Sequence, residues 1–280
     1  MLLKRRRGRV RYWFLGLGLV SLSIVGWLTW HTPRHDRLWA AGQERLARVD
    51  FEGDQVRIHD FRFFRYRADG TVATPAYETR TFRIDDLASV WLGISHLGRF
   101  GMAHTFMSFG VKDGRYLAIS IEARREKDEG YNPLAGLFRK YDLIHVVGDE
   151  RDIVGVRSHI RNERVYLYRL NLSPWQAENL FVSMLTVVNE IYQSPRFYNT
   201  LMDNCLTGIV RYAKAIPFWQ RWVDYRLILP GFFDEVAYGL GVLAEEGDLT
   251  DLQARALVCL LYTSPSPRDL LSHRVCRLVL

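Results

Sequence analysis

Residues 98–124, GRFGMAHTFMSFGVKDGRYLAISIEAR, decide the fold of this chain. They contain two runs of alternating residues joined at Lys112-Asp113-Gly114, where glycine can adopt the left-handed conformation of a tight turn. We predict a β-hairpin with a three-residue loop, so that Val111 pairs with Arg115 and the register of all other pairs is fixed. One face of this ribbon is apolar, and a slip of one residue would mix the two faces. The apolar face consists of Met107, Phe109, Val111, Leu117, Ile119 and Ile121.

The other face of the hairpin carries the first candidate site residues. In the predicted register His104 lies directly across from Glu122, with about 5 Å between their Cβ atoms. A carboxylate at this distance can hold an imidazole in one tautomer and raise its basicity. The alternative is a cross-strand salt bridge without a chemical role, and these two residues alone do not decide between the interpretations.

The composition is that of a globular protein, with 48% hydrophobic and 25% charged residues in a chain of 280. The net charge is +7, but Lys4 and five arginines lie within the first eleven residues. Because the rest of the chain is close to balanced, the basic charge gives no argument for nucleic-acid binding.

Residues 12–30 form a run without a charged side chain, rich in Leu, Val, Ile and Gly and with aromatic residues at both ends. This length spans a bilayer core, and the aromatic residues suit its interfaces. We predict a single transmembrane anchor in the inner membrane, with residues 1–11 cytoplasmic by the positive-inside rule and the remaining chain periplasmic. A cleaved signal peptide is the alternative, although this run exceeds a typical signal core and no small-x-small site follows Trp30.

Residues 259–280 resemble the in-frame translation of a sequencing-library adapter, and we interpret them as an adapter-derived tail that is not genuine protein. The alternative is a short amphipathic helix after a Pro-Ser-Pro linker. If the tail is set aside, Cys259 and Cys276 drop out and Cys205 is the one remaining cysteine. An intramolecular disulfide is then impossible, and Cys205 is a free thiol in an exported domain.

Between these ends the order of elements predicts an α+β fold, with a strand-rich part at 31–98 and a thiol-catalytic core at 99–258. Strands are predicted at 55–66, 79–84, 88–94, 143–147 and 165–170. Helices are predicted at 36–49, 134–141, 174–192, 206–215 and 232–243, the third of them with a capping box formed by Ser173 and Gln176. The polar segment 148–161 is predicted to be a loop. Several arginines near the strand at 55–66, including Arg62, are candidates for contact with lipid phosphates or form a solvated face.

A lone cysteine at a helix start completes a catalytic set. Asp203 or Asn204 can cap the helix that follows, which places Cys205 in its first turn, where the helix dipole lowers the pKa of a thiol. Thiol catalysis needs a nucleophile, a base and a group that orients the base, and Cys205, His104 and Glu122 supply these types. The sequence contains neither an HExxH pattern nor a glycine-rich phosphate loop after a strand, so we predict no metal and no cofactor.

The order of a histidine, an acidic residue and Asn-Cys resembles that of circularly permuted papain-like enzymes, the lecithin retinol acyltransferase-like group. More closely, AHTFMSF (103–109), LAISIEARRE (117–126) and FYNTLMDNC (197–205) are similar to motifs of the Lnb N-terminal periplasmic domain family. The resemblance implies a permuted papain-like antiparallel sheet with helices, with His104 as the base and Cys205 as the nucleophile. Glu122 matches a recurrent position of the family.

The resemblance also implies lipoprotein N-acylation. An acyl chain would move from a phospholipid to Cys205 and then to the N-terminal amine of a lipoprotein. Two other functions stay open at this point, a periplasmic cysteine amidase or peptidase and a catalytically silent anchored binding module. An apolar, acyl-sized groove lined by Phe106 and the aromatic residues of 218–225 would favour transfer, and an open polar cleft would favour hydrolysis. A deeply buried Cys205 far from His104 would favour the binding module.

The predicted topology can be tested with a reporter that is active only in the periplasm. We expect activity when the reporter is fused after Val258 and none when it is fused before Tyr12, because the anchor separates these two positions. The opposite result would place Cys205 in the cytoplasm.

Overall fold

The computed structural model describes residues 13–19, 21–23, 26, 31–67, 69, 71–98, 100–213 and 224–258. The chain divides into two compact units, residues 1–36 and residues 37–280. In the first unit the described residues between 13 and 26 are helical. Within the described part of the chain, every helix falls short of the length and apolarity needed to cross a membrane. The predicted anchor at 12–30 lies partly outside the described residues, and the predicted tail at 259–280 lies wholly outside them.

The second unit combines one large sheet with short helices. Its strands are β1 (Arg48–Glu52), β2 (Gln55–Arg62), β3 (Arg65–Tyr66), β4 (Val72–Thr74), β5 (Tyr77–Arg83), β6 (Leu87–His96), β7 (Ala103–Val111), β8 (Tyr116–Arg124), β9 (Asp142–Asp149) and β10 (Arg164–Arg169). Its α-helices are α1 (Glu150–Gly155), α2 (Pro174–Gln193), α3 (Cys205–Ala213), α4 (Phe233–Gly239) and α5 (Leu249–Ala256).

The strands of the large sheet follow the order β1-β2-β9-β8-β7-β6-β10, and β5 pairs with β2. The neighbours are antiparallel except for one parallel contact, between Arg62 of β2 and Gly148 of β9. Strands β3 and β4 form a separate two-stranded ribbon. The predicted α+β class with a mostly antiparallel sheet is therefore confirmed.

Strands β7 and β8 form the predicted hairpin in the predicted register. Phe106 pairs with Ser120, and Gly110 pairs with Tyr116. The alternation also divides the side chains as expected, since Met107 and its apolar neighbours join the main core while Phe106 joins a smaller core. The hydrophobic pattern thus fixed the register because each face of the sheet has its own core.

Helix α2 covers the main core. Ser173 caps it with the predicted capping box, in which its hydroxyl accepts from the Gln176 amide and the Gln176 side chain accepts from the Ser173 amide. The buried side chains recur at helical spacing, and Phe181 meets Phe109 of β7 edge to face at 5.0 Å. The buried residues are Leu180, Phe181, Met184, Leu185, Val188 and Ile191. The helix therefore fixes the back of the hairpin.

The helix predicted at 36–49 is wrong. Gly42 has a φ of 83°, which interrupts a right-handed helix, and the preceding residues run alongside the end of β8. The amide of Ala40 donates to the Arg125 carbonyl at 2.9 Å, and the Lys127 amide donates to the Leu38 carbonyl at 2.8 Å. The segment therefore covers the end of β8 with extended backbone and brings Gln43 to the candidate site.

The loop predicted at 148–161 is also wrong. Residues Glu150–Gly155 form α1, capped by the Asp149 side chain, and Val156–Ile160 continue it as a π-helical turn. The polar residues of this segment suggested a loop, but four of them are buried in the structure: Glu150, Asp152, Arg157 and Ser158. The helix predicted at 134–141 shortens to a 3-10 turn, Ala135–Phe138.

Arg62 joins β2 to α1 through a buried ion pair. Its Nε and Nη2 atoms donate to the two carboxylate oxygens of Asp152 at 2.9 and 3.0 Å. The same carboxylate accepts from the Phe64 amide and from the Tyr66 hydroxyl, each at 2.8 Å. Arg62 is therefore committed to the interior, which removes it from the arginines that were candidates for lipid phosphates or a solvated face.

Removing the guanidinium should destabilise the fold. We expect Arg62→Ala to lower the free energy of unfolding by roughly 3–5 kcal/mol, because Asp152 would remain as an unpaired buried charge. Urea unfolding of the second unit followed by circular dichroism measures this. The matched control is Arg83→Ala, which breaks the solvent-exposed pair with Asp85 and should leave the midpoint unchanged. Equal midpoints for the two variants would contradict the structural role of Arg62.

Candidate active site

A cleft opens where the hairpin ladder ends. The pairing of β7 with β8 stops at Phe106 and Ser120, although both strands continue. Beyond that point β7 pairs only with β6, as far as Ala103, and β8 pairs only with β9, as far as Arg124. The separation leaves a cleft of about 510 Å³ that both His104 and Cys205 line.

Cys205 is the first residue of α3, as predicted. The side chain of Asn204 caps the helix by accepting from the amides of Leu206 and Thr207 at 2.9 and 2.8 Å. The Asn204 side-chain amide in turn donates to the Thr200 carbonyl at 2.6 Å, which holds the cap in place. The cap uses the second and third amides of the helix and leaves the amide of Cys205 to other partners.

The predicted lowering of the thiol pKa is wrong. Cys205 is only 5% exposed, and burial raises the pKa of its thiol above the ordinary value. The Thr105 amide and the charge of Arg157 favour the thiolate and oppose this rise. Desolvation outweighs them, because an isolated thiolate is costly in an apolar environment. Cys205 is therefore a neutral thiol at rest.

The imidazole of His104 contacts Ser120 rather than Glu122. Its Nε2 atom lies 2.7 Å from the Ser120 hydroxyl oxygen and 4.0 Å from Oε1 of Glu122. The Ser120 hydroxyl donates to the same Oε1 at 2.8 Å. The expected closeness of histidine and carboxylate is therefore present, but a serine lies between them, because the two strands have already separated at this point.

Burial keeps His104 neutral. Desolvation is the main cause that lowers the pKa of His104 to about 3, the Arg157 guanidinium lowers it further, and Glu122 opposes both. An imidazole with so low a pKa carries no proton on its second nitrogen at neutral pH. Its second nitrogen therefore has a free lone pair, while the same low pKa makes the buried ring a weak base.

The Glu122 carboxylate is ionised and accepts hydrogen bonds from several side chains. Burial alone would raise its pKa, but the charge of the Arg157 guanidinium lowers it well below the usual range. Arg157 Nη2 donates to Oε1 at 2.7 Å, and the Gln43 side-chain amide donates to Oε2 at 3.1 Å. This carboxylate is thus fixed in charge and in position.

Sequence reasoning missed Arg157 and Gln43, and with them the surroundings of Glu122. Both lie in segments whose structure was predicted wrongly, the segment before β1 and the turn after α1. Arg157 is 4% exposed, and its Nη1 atom lies 3.9 Å from Oε2 of Glu163. The apolar residues of α1 next to it were the available signal of an interior helix.

The cleft is lined mostly by apolar side chains. They come from the β6–β7 loop, from β8, from the Tyr131–Pro133 segment and from the loops before α3 and α4. Phe106, which the sequence suggested, is not in the lining, and residues 218–223 lie outside the described part of the chain. Across the described ranges, His, Cys, Asp and Glu side chains nowhere converge in the groups of three or more that hold a metal ion.

Comparison with known proteins adds one finding. A family model described as the Lnb N-terminal periplasmic domain matches residues 73–231. This range is more than half of the chain and contains His104, Glu122 and Cys205. No curated protein and no solved structure matches the chain. The match begins in β4 and includes all three motifs from which the resemblance was drawn.

The protonation state of the thiol can be read from its alkylation rate. In a Cys259→Ser/Cys276→Ser background, we expect the rate of iodoacetamide labelling of Cys205 to rise continuously from about pH 6 to about pH 9. The reason is that burial raises the pKa of this thiol, so the reactive thiolate fraction keeps growing. The urea-unfolded protein is the control, and its rate should reach half of its plateau near the ordinary thiol pKa of about 8.5. A rate for the folded protein that levels off below about pH 7 would contradict the neutral thiol.

Proposed function

Since this chain belongs to the Lnb N-terminal periplasmic domain family, we propose that it is a membrane-associated periplasmic thiol acyltransferase with a permuted papain-like site. Cys205 carries the acyl chain, His104 is the general base and Glu122 belongs to the group that orients the base. The observation that carries the proposal is that the thiol of Cys205 and the imidazole of His104 line one mostly apolar cleft. This arrangement provides a nucleophile and a base in one mostly apolar cleft.

The first half-reaction transfers the acyl chain from a phospholipid ester to the protein. The Cys205 sulfur attacks the ester carbonyl carbon while His104 accepts the thiol proton. The amide of Cys205 at the start of α3 donates to the oxyanion of the tetrahedral intermediate. The ester C–O bond then breaks, His104 returns the proton to the alkoxide that leaves, and a thioester remains on Cys205.

The second half-reaction forms an amide. The uncharged N-terminal amine of a lipoprotein attacks the thioester carbonyl, and His104 accepts a proton from the nitrogen. The C–S bond breaks and the proton returns to sulfur, so the site ends in its starting state. A thioester is a suitable carrier because it stores the ester's reactivity toward amines while the first product leaves.

The chemistry of the cleft walls supports an acyl chain over a peptide as the donor. Leu97, Met102, Ile121, Leu201 and Ile228 line the cleft together with aromatic and proline residues. Burying an acyl chain against such side chains is favourable by about 0.8 kcal/mol for each CH₂ group. A peptide backbone would need polar partners along its length, and polar residues such as Gln43, Thr200 and Asn204 are the minority of the lining.

The surface around the cleft supports access from a membrane. Phe100, Leu134, Phe138, Met202 and Tyr225 lie on the loops that supply the lining, and each has a large exposed fraction. Exposed apolar side chains that cluster around a site mark a surface that meets a partner or a lipid bilayer. Together with the anchor proposed at 12–30, they would hold the cleft near the phospholipid donor and a lipoprotein acceptor.

The thioester can be observed directly. Full-length protein in the Cys259→Ser/Cys276→Ser background, mixed with phosphatidylethanolamine vesicles, should gain the mass of one acyl chain, and hydroxylamine should remove it. Cys205→Ala should gain no mass, and His104→Ala should acylate about 10²–10⁴-fold more slowly. Intact-protein mass spectrometry measures both, and circular dichroism controls for folding.

The competing functions give different results in the same experiment. Steady release of fatty acid without any acceptor would identify a hydrolase. Absence of an adduct and of released fatty acid from the folded wild type, with every phospholipid tried, would identify a binding module.

A further inference from the structure

We infer that Ser120 is a positioning residue, which fixes His104 as the Nε2–H tautomer and so makes Nδ1 the nitrogen that accepts the thiol proton. This inference deepens the proposed function, because it rests on His104 being the base. It assigns to Ser120 the direct contact that the sequence had assigned to Glu122.

The position of the Ser120 hydroxyl proton decides which of the surrounding groups donate hydrogen bonds and which accept them. A serine hydroxyl has one proton to donate and two lone pairs to accept with. Its oxygen lies 2.8 Å from Oε1 of Glu122, and an ionised carboxylate can only accept. The single proton must therefore point at Glu122, because otherwise two acceptor oxygens would face each other inside the protein.

Arg157 favours the orientation in which the Ser120 hydroxyl donates to Glu122. Its Nη2 atom donates to Oε1 of Glu122 at 2.7 Å and lies 3.4 Å from the Ser120 hydroxyl oxygen. The guanidinium holds the carboxylate in its ionised form, so Glu122 has no proton to give to Ser120. It also directs its own N–H groups at the serine lone pairs, which opposes turning the hydroxyl away from the carboxylate.

In the remaining contact, between Ser120 and His104, only the imidazole can then be the donor. The Ser120 oxygen lies 2.7 Å from Nε2 of His104, and its proton is already used. It must accept, so Nε2 carries the hydrogen. Since a neutral imidazole has one N–H group, Nδ1 is left with its lone pair, and it is the ring atom left to accept a proton in the cleft that His104 and Cys205 both line.

A serine between the ring and the carboxylate also has an electrostatic effect. The closest approach of Nε2 to the Glu122 charge is 4.0 Å, and Arg157 offsets that charge. The Glu122 carboxylate therefore orients the His104 ring through the dipole of the Ser120 hydroxyl. It does so without stabilising the protonated imidazolium enough to make it the resting form. This agrees with a base that stays neutral while it waits for a substrate.

The tautomer itself can be measured without any acyl transfer. Two-dimensional NMR of the folded wild type labelled with ¹⁵N-histidine, assigned by comparison with His104→Ala, should show a protonated Nε2 and an unprotonated Nδ1 for His104 at about pH 7. A protonated Nδ1 in the wild type would overturn the inference. Because this readout needs no substrate, the proposed acyl transfer can fail while the tautomer assignment stands, and the reverse also holds.

Variants of Ser120 then distinguish a role in positioning His104 from a role in stabilising the fold. Ser120→Ala should produce a mixture of both tautomers and slow thioester formation by about 10- to 100-fold, the effect expected when the partner that orients a histidine is removed. Ser120→Thr keeps the hydroxyl and should restore both the single tautomer and most of the rate.

The matched control is Ser108→Ala. Ser108 is equally buried on the same face of β7 and β8 and donates to a glutamate, Glu150, but it does not contact His104. Its variant should lose a comparable buried hydrogen bond and leave the His104 spectrum and the acylation rate unchanged. A wild-type spectrum for Ser120→Ala, or an equal loss of rate in both alanine variants at equal stability, would overturn the assignment.

Discussion

Where the β7–β8 ladder ends, two strands that continue side by side stop bonding to each other, and buried peptide groups must find other partners. The helix α3, whose first residue is Cys205, contacts both β7 and β8. One interruption in a hydrogen-bond ladder thus creates the cleft and places the thiol in it. The position of the histidine follows too, because His104 lies on the strand segment that has separated.

Buried ion pairs stabilise the cleft between the separated ends of β7 and β8. The pairs Arg62–Asp152 and Arg157–Glu122 lie at the two ends of one short stretch, α1 and the π turn after it. Each charge would be costly alone in the interior, and each is matched by a partner and by further hydrogen bonds. Because both pairs involve this stretch, the geometry around His104 depends on how α1 docks against β2. The site is therefore supported from a part of the sheet that does not line the cleft.

Local rules explain what the sequence could predict. The hairpin register follows from alternation, the start of α2 from the Ser173 capping box, and the position of Cys205 from the Asn204 cap. The errors have a different origin, since Gln43 and Arg157 reach Glu122 only through long-range packing that no local pattern encodes. Ser120 was not singled out from the sequence, because its proposed role depends on its distances to His104 and Glu122. The thiol pKa was predicted in the wrong direction because a helix start is visible in the sequence and the depth of burial is not.

The burial of Cys205 has a consequence for the life of the protein outside the cytoplasm. Oxidants and disulfide exchange act on thiolates that they can reach, and the periplasm is an oxidising compartment. A thiol that is 5% exposed and protonated at rest offers little thiolate and little access. In the unfolded chain the same thiol is accessible and has an ordinary pKa. Burial of Cys205 therefore protects the folded domain from oxidation and disulfide exchange at this residue.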